Sequence, residues 1–307
     1  MLDGALRQKL QEIVSGGVLF EEPLSRHTSM GVGGKAEAVV FPMTREELIK
    51  TAAFLKNEKI SFKALGNGTN LIVRDGGYRG VVISLRKLHN LSLEEGDGGV
   101  SVLAEAGVPL ADVVGLSLRE GLTGMEFCAG IPGSVGGAVR MNAGAYGREI
   151  KDVAKSVTFL TGKGNIRQRG KGELKFGYRN LDTPPDDIIV AATFCLLRGD
   201  GKEIREKVEG ILALRQEKHP LMYRSAGSVF RNPGGGVSAG RIIEETGLKG
   251  LKIGDAQISD RHGNFIVNLG QAKAGDVLAL IEAVKKKVLQ ERGIVLDTEV
   301  HIIGEEG

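Results

Sequence analysis

Cysteine is almost absent. The 307 residues hold two, Cys128 and Cys195, each alone among apolar neighbours, and there is no tryptophan. Two isolated cysteines give no disulfide framework; the expectation is a pair of reduced, buried thiols in a cytosolic protein. No two cysteines or histidines have the spacing of metal ligands, so no metal site is expected. Long apolar runs are lacking too, which predicts no membrane insertion. Residues 2–20 are interrupted by charges and by Gly16-Gly17, so no secretory signal is expected and the predicted location is the cytoplasm. Net charge is only +3, with acids and bases mixed along the chain. That gives no case for nucleic acid, which favours a clustered basic face. A modest positive field suits an anionic small molecule. No obligate protein partner is indicated.

Glycine, in contrast, is plentiful at 46 residues. It is unfavourable inside helices and strands, so many of these should mark turns or close approach of backbone to a ligand. The length allows two or three domains with real cores. Residues 2–14 read as an amphipathic helix and 36–41 as a strand stopped by Pro42. Thr44 caps a helix whose apolar side includes Ile49, Ala52, Ala53 and Leu55, with Glu47 placed to close a capping box. Residues 60–65 form a strand that runs into Gly66-Asn67-Gly68-Thr69-Asn70. In a second block, 80–85, 100–106, 153–161 and 188–197 are strand-like, and 109–120 is a helix with Gly121 just past its end. Residues 124–147 are glycine-rich with little periodicity. Loops of that length are commonly functional, and Phe127, Ile131, Val135 and Val139 argue against disorder. In a third block, Ile204, Val208, Ile211 and Leu212 fit one helical face, and Ser238 caps a short helix ending at Gly247. Residues 264–268 are a strand. Val277, Leu280, Ile281, Val284 and Val288 recur at helical spacing before Gly293, and 295–303 alternate as a strand. The reading is an α+β protein of three modules, residues 1–80, 81–202 and 203–307.

Two segments suit a dinucleotide held by backbone. In Leu65-Gly66-Asn67-Gly68-Thr69-Asn70, alternating glycines let successive N–H groups turn toward an anion, with Asn67, Thr69 and Asn70 as side-chain donors. A glycine-rich turn after a strand is by itself more often only a turn, and no Rossmann fingerprint is completed. The second segment is Gly130-Ile131-Pro132-Gly133-Ser134-Val135-Gly136-Gly137-Ala138, which Met141-Asn142-Ala143-Gly144-Ala145-Tyr146-Gly147 extends. It is too apolar for an ordinary exposed loop.

At these residues the chain resembles the FAD-binding loops of the UDP-N-acetylenolpyruvoylglucosamine reductase family, within the flavin-binding superfamily of p-cresol methylhydroxylase and vanillyl-alcohol oxidase. His27-Thr-Ser-Met-Gly-Val-Gly-Gly34, Phe176-Gly-Tyr-Arg179, Ser225-Ala-Gly-Ser-Val-Phe-Arg-Asn-Pro233, His262-Gly-Asn-Phe-Ile-Val-Asn268 and Thr298-Glu-Val-His-Ile-Ile-Gly304 follow in the family's order. The likeness covers nearly the whole chain. Compactness after Arg179 resembles the shorter, type II form. Leu181 stands where the family often has Ser, so a supporting hydrogen bond is in doubt there.

The resemblance implies a two-module FAD-binding fold (modules 1–80 and 81–202) followed by a C-terminal α+β substrate-binding domain (203–307). It implies non-covalent FAD and NADPH as co-substrate. The implied reaction reduces UDP-N-acetylglucosamine enolpyruvate to UDP-N-acetylmuramate in peptidoglycan precursor synthesis, hence a part in cell-wall biogenesis, cell shape and division. FAD would be held by Gly66, Asn67, Gly68, Thr69, Asn70, Gly130, Ile131, Pro132, Gly133, Ser134, Gly136, Gly137, Ala138 and Asn142. Ser228 maps onto the family's proton donor, Arg179 onto the group that grips the substrate carboxylate, and Glu299 onto their companion. Without the resemblance, Ser228 reads as a loop hydroxyl and Arg179 as a surface cation. Tyr146, Lys218, Asn232 and His262 are implied substrate contacts, and Lys218 and Arg231 could meet diphosphate charge; structural roles fit each as well. His27 is taken as structural or cofactor-adjacent. The alternatives are another FAD-dependent oxidoreductase of the same superfamily, and a flavin-binding module without catalysis.

Overall fold

The computed structural model describes residues 2–96 and 98–307. The chain divides into two compact units, each gathered from three segments: Met1–Leu19, Ala38–Asn67 and Val81–Arg215 form the first, and Phe20–Glu37, Gly68–Gly80 and Gln216–Gly307 the second. Among the described residues no helix is long and apolar enough to cross a membrane.

The first unit is built on an antiparallel sheet in the order Ile166–Gly170, Ala154–Leu160, Ile188–Arg198, Gly99–Glu105, Leu91–Gly96, with Leu122–Thr123 added at the end of the central strand. The central strand, IIVAATFCLLR, is an almost continuous apolar run because both its faces are covered. The two outer strands, LSLEEG and IRQRG, were not anticipated. They are polar, as exposed sheet edges tend to be, so no apolar alternation announces them. Val102, Ala104, Val157, Phe159 and Phe194 from the sheet pack with Leu110 and Val113 of helix Leu110–Arg119 and with Val135 and Val139 of helix Val135–Arg140. Truncating a buried phenylalanine such as Phe194 to alanine would cost about 3–5 kcal/mol.

Helix Val135–Arg140 corrects the expectation of a long irregular segment. Six residues with two internal glycines carry too little helical signal to be seen in the sequence, each glycine being about 1 kcal/mol less favourable than alanine there. The segment is instead laced to the core by main chain. Leu110 N–H donates to Gly133 O, Val135 N–H to Val108 O and Gly136 N–H to Ala106 O, all at 2.9 Å.

Strand Phe62–Leu65 pairs in parallel with the Val81–Ser84 part of strand Tyr78–Ser84, and helix Arg45–Asn57 precedes it. Thr44 caps that helix by accepting from Glu47 N–H, 3.2 Å. The reciprocal half of the expected capping box is displaced by one residue, because the Glu47 carboxylate accepts from Met43 N–H (2.9 Å) and from the Ser15 hydroxyl (2.5 Å). The buried face is Leu48, Thr51 and Leu55; Ala53 is exposed. Helix Gly201–Lys218 buries Ile204 and Val208, but Leu212 faces solvent, so the apolar stripe is narrower than its sequence suggested. Cys128 is buried, and burial pushes its thiol up; Cys195 is only half-buried, contrary to expectation.

The second unit holds an antiparallel sheet ordered Arg224–Ser228, Phe265–Asn268, Ala256–Ile258, Lys252–Ile253. Helix Ala274–Arg292 packs Val277, Leu280, Ile281, Val284 and Val288 into its core beside Ile243 and Ile266. The helix starts on two carboxylates that suit its positive end. Asp276 accepts from Lys273 N–H, and Asp75 accepts from Ala274 and Gly275 N–H. It ends at Gly293 in the left-handed conformation. The strand expected over 295–303 is shorter. Only His301–Ile303 is regular, parallel to Leu71–Val73. Upstream, the backbone bonds instead to a loop, with Arg231 N–H donating to Asp297 O and Glu299 N–H to Val229 O.

Candidate active site

In the first unit the two glycine segments meet. A Cβ placed on Gly66 would lie 2.3 Å from Ser134 Oγ. Ser134 is buried, and its hydroxyl has no hydrogen-bond partner, although it stands where a helix cap would use it. A buried hydroxyl without a partner is unfavourable by about 1–3 kcal/mol, so a ligand group at this point would relieve it. Gly130 and Gly133 have φ of +70° and +130°. Asn67 O accepts from Arg86, whose half-buried guanidinium is pushed down in pKa by desolvation. Glycine backbone, an orphaned hydroxyl and a nearby cation fit the phosphates and ribityl hydroxyls of a flavin dinucleotide.

Arg215 was not anticipated. Its stem lies against Gly130, where a Cβ would be 2.7 Å from Arg215 Cδ, and its guanidinium stands 5.9 Å from the centre of the Tyr146 ring. Its buried Nε has no partner, and desolvation lowers its pKa, though it remains a cation. The signal was there: Arg215 lies seven residues after Val208, on the buried side of the helix. Tyr146 itself is exposed and has φ +54°.

Arg179 sits in a two-residue turn between strands Lys175–Gly177 and Asn180–Asp182, which pair Gly177 with Asn180. Its φ is +53°, a conformation that costs an L-residue about 1–2 kcal/mol. Its guanidinium lies 5.4 Å from the Tyr178 ring centre. Leu181 anchors the hairpin in the core at 1% exposure. The position where the family often has Ser is thus apolar here. Asn142, expected at the cofactor, spends its side chain inside the unit. Nδ2 donates to Glu149 Oε2 (2.9 Å) and Gly177 O (3.0 Å), and Oδ1 accepts from Lys151 N–H (3.0 Å).

In the second unit, Ser228 ends strand Arg224–Ser228 after an irregularity in register, next to Gly227 at φ +75°. Val229 O accepts from Glu299 N–H at 2.7 Å, which brings Ser228 and Glu299 onto neighbouring stretches of backbone. Asn264, another residue not anticipated, clamps this segment. Its Oδ1 accepts from Phe230 N–H and its Nδ2 donates to Phe230 O, both at 2.8 Å. Asn70 Nδ2 donates to Glu299 O, and Asn70 O accepts from His301 N–H, so Gly68-Thr69-Asn70 and Glu299 share one framework. On its other side Gly68 O accepts from Ser29 N–H. His27 is paired with the buried Glu22 at 3.0 Å, as suits a structural residue.

The implied substrate residues vary in engagement. Asn232 Oδ1 accepts from Ala239 N–H at the start of helix Ala239–Glu245. His262 is pushed down in pKa by burial. Its Nδ1 accepts from Asn264 N–H, leaving Nε2 to carry the proton of the neutral ring. Lys218 is exposed at a helix end, and the buried Arg231 Nε has no partner. Arg179 belongs to the first unit, Ser228 and Glu299 to the second.

With this geometry in view, two families match the chain: FAD binding domain over residues 36–169, and UDP-N-acetylenolpyruvoylglucosamine reductase, C-terminal domain, over residues 219–303. The UDP-N-acetylenolpyruvoylglucosamine reductase of Syntrophus aciditrophicus is 55% identical over 306 residues, 99% of this chain and 98% of that one. That of Caldanaerobacter subterraneus subsp. tengcongensis is 45% identical over 98% of both chains. The crystal structure of UDP-N-acetylenolpyruvylglucosamine reductase from Thermus caldophilus superposes with a TM-score of 0.78 at 37% identity, covering 93% of this chain and 98% of that one.

Proposed function

Because this chain belongs to the UDP-N-acetylenolpyruvoylglucosamine reductase family, we propose that it is the FAD-dependent oxidoreductase that reduces UDP-N-acetylglucosamine enolpyruvate to UDP-N-acetylmuramate, with NADPH as electron donor. The observation that carries this reading is the 55% identity that runs end to end through both chains. The product is a precursor of peptidoglycan, and the work would be done in the cytoplasm. Cell shape and division would depend on it through the wall.

Bound FAD would supply the hydride chemistry, with NADPH as the hydride source and the terminal alkene carbon of the enolpyruvyl ether as its destination. The protein's own groups govern where the resulting charge goes. Negative charge builds on the adjacent carbon and spreads into its carboxylate. Arg179, whose guanidinium can meet a carboxylate through two N–H bonds, would bind that group and gain strength as charge develops. Ser228 would give its hydroxyl proton to the adjacent carbon and recover one from solvent, completing the lactyl ether. Glu299, held beside Val229, would stand next to that transfer. Tyr146, Lys218, Asn232 and His262 would bind the nucleotide sugar. For the cofactor, Ser134, the glycine backbone around it and the Gly66–Asn70 loop would supply donors to phosphate and ribityl oxygens.

The test is anaerobic. Purified protein should release FAD on denaturation, bleach when NADPH is added, and regain its flavin absorbance when UDP-N-acetylglucosamine enolpyruvate follows. Reduction by a hydroxy acid with oxygen as acceptor, and none by NADPH, would assign it to another reaction of the flavin-binding superfamily.

A further inference from the structure

The turn that carries Arg179 is oddly made. Gly177 and Asn180, the residues best suited to positive φ, flank it, while arginine occupies the left-handed position itself. Such a conformation persists only where the surroundings over-determine it. Two anchors do so. One is apolar, Leu181 in the core of the first unit. The other is the Asn142 amide, whose Nδ2 donates to Gly177 O, two residues before Arg179.

Asn142 is well placed to transmit position. It is fully buried, and both ends of its amide are used. The Glu149 carboxylate takes a second bond from Nδ2, and Lys151 N–H at the start of helix Ile150–Val153 binds Oδ1. The amide is therefore fixed in orientation by two groups on its own loop before it reaches across to the hairpin. Its backbone, at φ +40°, directly follows helix Val135–Arg140 and its cap Met141, so it is continuous with the glycine segment that includes Ser134. We infer that Asn142 is the positioning residue for Arg179: it sets the hairpin's height and angle relative to the Gly130–Ala138 segment, and so aims the guanidinium at the substrate carboxylate. The inference rests on the role proposed above for Arg179. It replaces a direct side-chain contact between Asn142 and FAD.

The test uses the FAD-loaded enzyme. Asn142→Gly removes the amide while keeping the left-handed backbone unstrained. Asn142→Asp keeps shape and the acceptor for Lys151 N–H but faces Gly177 O and Glu149 with an oxygen. Both should bind FAD and be reduced by NADPH at near the parent rate, while reoxidation by UDP-N-acetylglucosamine enolpyruvate slows by about 10- to 100-fold, the scale of a misplaced group. In an Arg179→Ala background the same changes should add almost nothing. Amide exchange over residues 175–182 should quicken in both single variants, a readout that needs no turnover. Equal slowing of both half-reactions, unchanged exchange in the hairpin, or full additivity with Arg179→Ala would overturn the positioning role. If Arg179→Ala alone reoxidises at the parent rate, the Arg179 assignment falls and the inference with it. Slow Arg179→Ala beside normal Asn142→Gly would refute only the inference.

Discussion

Two glycine-bearing segments, one in each unit, hold several of the candidate residues, and they are built differently. Residues 130–140 in the first unit approach another strand of backbone closely at Gly136. A Cβ on Gly136 would meet the Ala106 Cβ at 2.8 Å and its carbonyl oxygen at 3.2 Å, and the Val135 and Gly136 N–H groups are already bonded to the core. Residues 225–237 in the second unit run from a strand with a register irregularity into Gly234, Gly235 and Gly236. All three have positive φ, and a Cβ on any of them would meet nothing within 4 Å. In the first segment Gly136 serves closeness while Gly130 and Gly133 turn the chain; in the second, Gly234, Gly235 and Gly236 serve turning alone. The first is a fixed frame that suits a resident cofactor. The second is clamped by Asn264 at Phe230 and tied further on at Arg231 and Asn232, and only its open glycine run, Gly234 to Gly236, suits a substrate that must come and go.

The sharpest test of that contrast is Ser228→Ala. FAD binding and reduction by NADPH should stay normal, while anaerobic reoxidation by the enolpyruvyl substrate slows about 10²–10⁴-fold, the usual contribution of a general acid. Stopped-flow measurement of each half-reaction decides it. Equal loss in both steps would mean that this segment shapes the flavin site as well. Next in size is Gly136→Val. Overpacking against Ala106 should lower stability by about 3 kcal/mol in chemical denaturation and release FAD; an unchanged midpoint would show that the frame yields.

Gly66→Ala should act more narrowly, because the new methyl meets a serine hydroxyl that can rotate away. FAD affinity should fall about tenfold, equivalent to about 1.4 kcal/mol, with little change in unfolding. Adding Ser134→Ala makes room for the methyl. If Ser134 Oγ binds the cofactor, the double variant should remain weak; recovery of affinity would make the effect purely steric. The smallest effect belongs to the open run. Gly235→Ala should cost about 1 kcal/mol from its left-handed backbone alone, and Gly235→Asn less. A larger loss would reveal tight packing there and erase the distinction between the segments.

How much of this was legible beforehand follows the range of the interactions. Caps are local, and Thr44, Ser238 and Gly293 do what their sequence neighbourhood implies. Helix Ala274–Arg292 follows its apolar repeat. The polar outer strands escaped because their own patterns are weak, although each pairs with the adjoining strand; the glycine-containing helix Val135–Arg140 escaped because its pattern is weak and its partners, Ala106 and Val108, lie well upstream. Leu181 shows the limit of comparison by position. A departure that suggested a missing hydrogen bond turns out to be a core anchor.

The order of motifs in the sequence was sufficient for the family, the cofactor class and the α+β architecture, because each depends on short strings that keep their chemistry wherever they fold. It could not say that Gly66 faces Ser134, that half-buried Arg215 lies against Gly130, that Asn264 clamps Phe230, or that Asn142 reaches the turn of Arg179. Those are pairings between residues tens of positions apart. A side-chain amide or hydroxyl carries no mark of its partner; only the closing of the chain around it decides whether it meets a ligand, a carbonyl or nothing.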